Sequence, residues 1–259
     1  MPVIRVEDYV DLYRMRSQSA DLHDLALRDG RRALTEFVNE QILNHLTPGP
    51  ADVLVDIGCG DGCLLRMAIH AASRIGTVGS NEERERLEKE LPDVEVKVAA
   101  MGELPLPSAV ATKVVCNATL FYLQSQEEVS QALKEIARIA QKDAVIWIGE
   151  IPAVDECVKY KVYSGKSIAG LLWFLLRRHS LRAFLGMCRK LVQAKFGREV
   201  VILNSARIYY SSPADFVILA EKCGLSMDRF FKHRELDSQG KVVDSEHRFD
   251  YVFRKISAV

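Results

Sequence analysis

Charge of one sign is what this 259-residue chain lacks: 35 lysines and arginines balance 35 aspartates and glutamates. No overall field gathers nucleic acid or an acidic partner, so charge matters only where it is local. Paired cysteines are missing too. The six, at 59, 63, 116, 157, 188 and 223, show none of the short spacings of a zinc site or a dense disulfide framework. They read as reduced, mostly buried thiols, and no metal site is expected. The longest strongly apolar run without charge, Ser167 to Leu176, is about half of the roughly 20 residues that span a bilayer. Glu7 and Asp8 stand where an export signal needs an apolar core. The expectation is a cytoplasmic protein, with at most peripheral attachment at the inner membrane surface. Internal repeats and low-complexity linkers are absent as well, and the hydrophobic share of 48% suffices for a sizeable core, so a single domain over 1–259 is expected.

What is present is an alternation. From Leu22 to Leu46 apolar residues recur at three- and four-residue spacing, the period of a helix burying one face, and Thr47-Pro48-Gly49-Pro50 ends it. The short β-branched run Asp52 to Ile57 reads as a strand covered on both faces. A helical pattern follows from Cys63 to Ala72, then strand Gly76 to Ser80, helix Glu82 to Leu91 and strand Val94 to Val98. After a proline-containing loop come strand Val114 to Asn117, helix Glu127 to Ala140 and strand Ala144 to Ile148. Strands that alternate with helices predict a doubly wound α/β fold with a mostly parallel sheet. Near the end, Ser212 and Pro213 start a helix that Gly224 stops. Leu225 to His233 and Arg248 to Ile256 then read as a C-terminal antiparallel hairpin around Asp237 to Lys241.

The strongest local signal is the turn Asp56-Ile57-Gly58-Cys59-Gly60-Asp61-Gly62. Glycines there allow a sharp bend and close approach of a ligand, while N–H groups of the following helix point at its anionic end. A dinucleotide fingerprint would need its third glycine at 63, where Cys63 stands, so the spacing departs from a nicotinamide or flavin site. Val53 to Gly62 instead resembles the first motif of the class I S-adenosylmethionine-dependent methyltransferases. The resemblance extends over roughly residues 30 to 150. It implies a Rossmann-like seven-stranded sheet whose last strand is reversed, and S-adenosylmethionine as cofactor. By the same resemblance Asp56, Gly58, Cys59, Gly60 and Gly62 would cradle the methionine part. Asn81 stands where the family usually has a ribose-binding acid, and Met101 and Gly102 lie in the adenine-binding segment with Ala100 in place of an acid. Lys113 replaces the acid that commonly opens the fourth strand, and Asn117 to Leu123 resembles the segment beneath the sulfonium.

Methyl transfer is an in-line displacement, so the protein must align the acceptor and remove a proton when there is one. Tyr122 and Glu150, which follow the fourth and fifth strands, are the catalytic candidates; His179 and His233 are further bases to consider. Tyr13, with Tyr9 and Arg14, belongs to an N-terminal helical lid over 1–47. Between 155 and 206 lies a helical insertion, longer than the loop and helix the family needs there. From Cys157 to Arg198 it carries ten basic and no acidic side chains, interleaved with Leu171, Trp173, Phe174 and other large apolar residues. That pattern fits helices on an anionic membrane surface, a site for a phosphate-bearing amphiphile, or a cap over the acceptor pocket. The acceptor is expected to be a small molecule or glycan, either of them free or linked to lipid or phosphate. Nucleic acid is not expected, since no Asn-Pro-Pro-Tyr type of segment follows the fourth strand. The departures at Asn81, Ala100 and Lys113 motivate an alternative, a non-catalytic module that keeps the fold with a degraded cofactor site.

Overall fold

A computed structural model describes residues 3–6, 13–14, 21–26, 31–153, 167–178, 180–196, 201–204, 209–237 and 239–255. In chain order its elements are β1 (Val3–Val6), α1 (Arg32–Leu46), β2 (Val53–Ile57), α2 (Cys63–Met67), β3 (Ser73–Val78), α3 (Asn81–Glu90), β4 (Glu95–Val98), β5 (Ala111–Asn117), α4 (Gln126–Ile139) and β6 (Ala140–Pro152). They continue with α5 (Ile168–Arg178), α6 (Leu181–Lys195), β7 (Val201–Asn204), α7 (Pro213–Lys222), β8 (Leu225–Leu236) and β9 (Val242–Lys255). The chain divides into two compact units, Met1–Leu12 with Tyr160–Arg207, and Tyr13–Lys159 with Ile208–Val259.

The larger unit holds the seven-stranded sheet, in the order β4-β3-β2-β5-β6-β9-β8. Strands β2 to β6 pair in parallel, and β9 runs antiparallel to both β6 and β8. Period-two alternation sends side chains of β2 to opposite faces. Leu54 packs with Leu34, Val38 and Ile42 of α1, and with Leu87 of α3. Val55 and Ile57 pack with Val129, Leu133 and Ile136 of α4, and with Phe216 of α7. Both faces are therefore covered, which is why the strands read as near-continuous apolar runs. Each of these fully buried aliphatic or aromatic side chains contributes on the order of 1.5–3 kcal/mol.

Helix starts follow side-chain capping. Ser80, Ser125 and Ser212 accept hydrogen bonds from the backbone N–H groups of Glu83, Glu128 and Asp215. Pro213 sits in the first turn of α7, and Gly224 beyond its end has φ +90°. The hairpin turns where expected, with Asp237 N–H donating to the Lys241 carbonyl at 2.9 Å, but its strands run longer at the loop ends. Helix α2 stops at Met67, short of the expected Ala72: Ala68 leaves the helical region at ψ 43°, and β3 starts early, at Ser73. The expected continuous helix from Leu22 is a 3-10 turn at Leu22–Ala26 followed by α1.

The smaller unit pairs β1 with β7 in parallel, Val3 opposite Val201, and contains α5 and α6. The N-terminal stretch expected to be helical thus includes a strand, in keeping with its β-branched Val3, Ile4 and Val6. Tyr9, His179, Ile256, Cys157 and the basic residues Lys159, Lys161, Lys166 and Arg198 lie outside the described residues. Cys59, Cys63, Cys116, Cys188 and Cys223 are free, and all but Cys188 are buried.

Candidate active site

From β2 the chain builds β3 and β4 on one side and then returns to β5 on the other. At such a reversal an open parallel sheet leaves a crevice beyond the carboxyl ends of its strands. One is present here. From β2 and its turn it is lined by Asp56, Gly58, Cys59, Gly60 and Asp61, and from the end of β5 by Asn117, Ala118, Thr119 and Tyr122. Tyr13, Leu25, Thr35, Asn39 and Leu64 complete it, around a volume of about 80 Å³ that opens to solvent.

The turn after β2 requires glycine for two separate reasons. Gly58 has φ +73°, and a Cβ there would lie 2.5 Å from Cγ2 of Thr119. Gly62, at φ +69°, precedes α2 and would press a Cβ to 2.4 Å from Leu91. Thr119 is itself held, its hydroxyl donating to the Asn117 carbonyl at 2.9 Å. The two walls of the crevice therefore meet backbone against side chain, with no space for a β-carbon between them.

Asp56 sits at the end of β2 with 5% of its surface exposed. Burial pushes its carboxyl up to about 7, and the charge of Asp61 adds in the same direction. Asp61 accepts from the Cys63 N–H at 3.1 Å and from Nδ1 of His23 at 2.8 Å. That bond fastens the 3-10 turn to the glycine turn. Among the described residues, Nε2 of His23 and the Thr35 hydroxyl are buried with no hydrogen-bond partner. An unsatisfied buried hydroxyl on a crevice wall has capacity for a polar ligand.

The Tyr13 and Tyr122 hydroxyls lie 3.1 Å apart, with the rings edge to face at 5.9 Å. Arg14 approaches Glu82 at 3.9 Å, a half-exposed pair of little energetic weight.

Glu150 stands one layer behind the crevice. A bulge between Ile148 and Ile151 of β6 turns it to φ +60° and buries it. It accepts from Asn117 Nδ2 at 3.0 Å and pairs with Arg248, while its backbone N–H donates to Asp250 at 2.8 Å. His233 donates from Nδ1 to Asp250 at 2.9 Å, with Nε2 3.9 Å from Glu150. Asn117 also accepts from the Trp147 indole at 3.2 Å. A buried polar network of β5, β6, β8 and β9 thus fixes Asn117 on the crevice wall.

Of the residues expected from the sequence, Asp56, Gly58, Cys59, Gly60, Asn117, Tyr13 and Tyr122 come together on this lining. Gly62 abuts it through the turn. Asn81 is the exposed first residue of α3, at the carboxyl end of β3. Met101 and Gly102 are half-buried in the loop after β4, where the Gly102 carbonyl accepts from Gln131 at 3.2 Å. Sequence reasoning did not single out Thr35, Asn39, His23 or Thr119. A signal existed for the first two: they are polar, four apart, and stand on the face of α1 that otherwise carries Leu34, Val38 and Ile42.

Residues 55–148 match the family described as "Methyltransferase domain". No curated protein matches the chain. Among solved structures, a methyltransferase in complex with the Trm112 methyltransferase activator of Haloferax volcanii has a TM-score of 0.63 at 15% identity, over 97% of this chain and all of that one. The N-methyltransferase NodS of Bradyrhizobium japonicum, in complex with S-adenosylhomocysteine, has 0.61 at 10% identity, over 96% of this chain and 100% of that one. Phosphoethanolamine N-methyltransferase 1 of Haemonchus contortus, bound to phosphoethanolamine and S-adenosylhomocysteine, has 0.61 at 17% identity, over 96% of this chain and 48% of that one. At such identities these likenesses concern the fold, and the matched segment runs from the glycine-turn strand β2 to β6. With that match and this sheet order, residues 55–148 carry a methyltransferase domain, set in the seven-stranded Rossmann-like fold that the class I S-adenosylmethionine-dependent methyltransferases share.

Proposed function

We propose that the crevice beyond β2 and β5 holds the cofactor's amino-acid end, and that methyl transfer goes to a small-molecule or glycan acceptor at the mouth beside Tyr122. The carrying observation is the buried acid Asp56 next to a turn in which no β-carbon fits. A carboxyl that burial holds near neutrality is relieved by a cation, and S-adenosylmethionine brings an ammonium and a sulfonium. Asp56, Gly58, Cys59, Gly60 and Gly62 would hold the methionine part, Asn81 the ribose, Met101 and Gly102 the adenine, with Asn117 and Tyr13 near the sulfonium. The bound cofactor supplies an electrophilic methyl carbon. The chain's own residues orient the acceptor and exclude water, Tyr122 offering its hydroxyl to the acceptor's proton and Glu150 setting the rotamer of Asn117.

The volume of this open crevice, about 80 Å³, is below the roughly 300–1,000 Å³ of ligand clefts. Tyr13 and Leu25 stand on its lining, where the N-terminal lid expected from the sequence would act. A lipid- or phosphate-linked acceptor is supported by the ten basic residues between Cys157 and Arg198. The Haemonchus contortus protein, which shares the fold, holds a phosphate-bearing amine. Titration calorimetry with S-adenosylhomocysteine tests the site: binding that Asp56→Asn weakens is the expected result, and no binding refutes it. Methyl-labelled cofactor offered with amine, hydroxyl and phospho-amine acceptors then reads turnover; binding without turnover on any of them favours a binding module.

A further inference from the structure

We infer that α5 and α6 form a surface that docks on an anionic lipid bilayer. Of the ten large hydrophobic side chains exposed among the described residues, six fall between Trp173 and Phe196. Single exposed apolar residues are ordinary; five of them on two consecutive helices and a sixth in the turn that follows form a patch that calls for an occupant. They are in stripes. On α5, Trp173 and Leu176 share a face, and on α6 Leu181, Leu185 and Val192 recur at four- and seven-residue spacing toward Phe196. Trp173 is 58% exposed and Phe196 71%.

The charges beside these stripes are all of one sign. Arg177, Arg182, Arg189 and Lys190 flank the apolar positions, and the Arg177 guanidinium lies 4.8 Å above the Trp173 ring. No acidic residue occurs between Cys157 and Arg198. Exposed tryptophan and leucine bordered by arginine and lysine match the two layers of a bilayer surface, acyl chains below and anionic headgroups above. A second copy of this chain would bring like charges together at the same patch, which disfavours self-association. The helices are 11 and 15 residues long, and among the described residues no helix is long and apolar enough to cross a membrane. The surface lies on the bilayer. Nothing in this inference depends on which acceptor is methylated.

The test uses the full chain with vesicles of phosphatidylglycerol and phosphatidylcholine in equal parts, against vesicles of phosphatidylcholine alone. Co-sedimentation with the anionic vesicles alone, weakened by salt, is expected. Replacing one surface arginine lowers the partition coefficient about five-fold, so Arg182→Gln with Arg189→Gln lowers it about 25-fold. Tryptophan emission provides a second readout, because Trp147 is 1% exposed and Trp173 is the exposed one. A blue shift on anionic vesicles that disappears in Trp173→Phe supports the inference. It is overturned by failure to sediment with anionic vesicles at low salt, by equal binding to both kinds, or by binding indifferent to Leu185→Glu and the arginine changes. A dimer seen by light scattering that Leu185→Glu dissolves also overturns it, assigning the surface to a second copy.

Discussion

Asp56→Asn isolates the electrostatics of the site with almost no change of shape. The carboxyl stands at about 7 in the folded protein against 3.8 for an unperturbed aspartate, so between those values the folded state binds a proton that the unfolded state releases. The sign follows: the contribution of the protonated group to stability is complete below 3.8 and is lost as pH rises to about 7. About three units at 1.36 kcal/mol each come to about 4 kcal/mol. Asparagine carries no charge at any pH. The variant and the parent should therefore have nearly equal stability near pH 4, and the variant should gain up to about 4 kcal/mol by pH 8. For a chain of this size that corresponds to a rise in Tm of about 8–16 °C. Melts of both proteins across pH 4–8 give the difference curve, in which other titrating groups cancel. The same variant should bind S-adenosylhomocysteine more weakly. In the parent at pH 6.5, binding should release protons as the ligand's cation draws the carboxyl down, visible as buffer-dependent heats. Parallel melting curves for the two proteins would refute the assignment of a costly buried acid.

Gly58→Ala should destabilise by a few kcal/mol, since a left-handed alanine alone costs about 1–2 kcal/mol and its Cβ meets Thr119; a urea titration should show Thr119→Ala recovering part of the loss, and no recovery would mean the close approach is not the cause. Tyr13→Phe and Tyr122→Phe each remove one hydroxyl of the pair, a loss of about 1 kcal/mol, so S-adenosylhomocysteine should dissociate about five-fold faster in stopped-flow displacement; unchanged rates would argue against a latch. Glu150→Gln keeps an oxygen for Asn117 but leaves Arg248 without its charge partner, and unfolding titrations should show a loss of about 1–3 kcal/mol. Turnover corrected for the folded fraction then separates roles: a further fall in kcat marks participation in proton transfer, and an unchanged kcat marks a positioning residue.

Much of this was legible because local rules and the global fold agree. The run Val53 to Ile57 could only be a doubly covered strand, and the glycines after it could only be a turn. Ser212, Pro213 and Gly224 each did locally what their chemistry dictates. The rest was hidden where tertiary pairing overrides local preference. Polar Asp244 looks like loop, yet it lies in β9 opposite Arg234 of β8, which supplies the ladder that its propensity does not request. The bulge at Glu150 leaves no trace in period-two patterning, because it exists only in the mismatch between β6 and β9. Thr35 and Asn39 carried a signal, as polar interruptions of an apolar helical face, but a crevice cannot be inferred until β2 and β5 are known to be neighbours.

Several departures from favourable local chemistry gather at the crevice, while others, such as Ala109 and Asp143 at positive φ and the buried hydroxyl of Ser245, are not on its lining. Among those at the crevice, Asp56 is an acid buried at a cost, Thr35 and His23 hold buried polar atoms without partners, and Glu150 and Ala118 are non-glycine residues at positive φ. All belong to the larger unit. Each lines the crevice, bonds to a residue that does, or, like Ala118 at φ +54°, forms its wall. Helices α4 and α7, on the opposite face of the sheet, show ordinary capping and apolar periodicity. Sequences tolerate such conflicts where a function compensates them. A ligand that brings positive charge to Asp56 and a polar partner to Thr35 would remove two of these costs at once, so stabilisation by the cofactor should exceed what its contacts with the glycine turn alone would give.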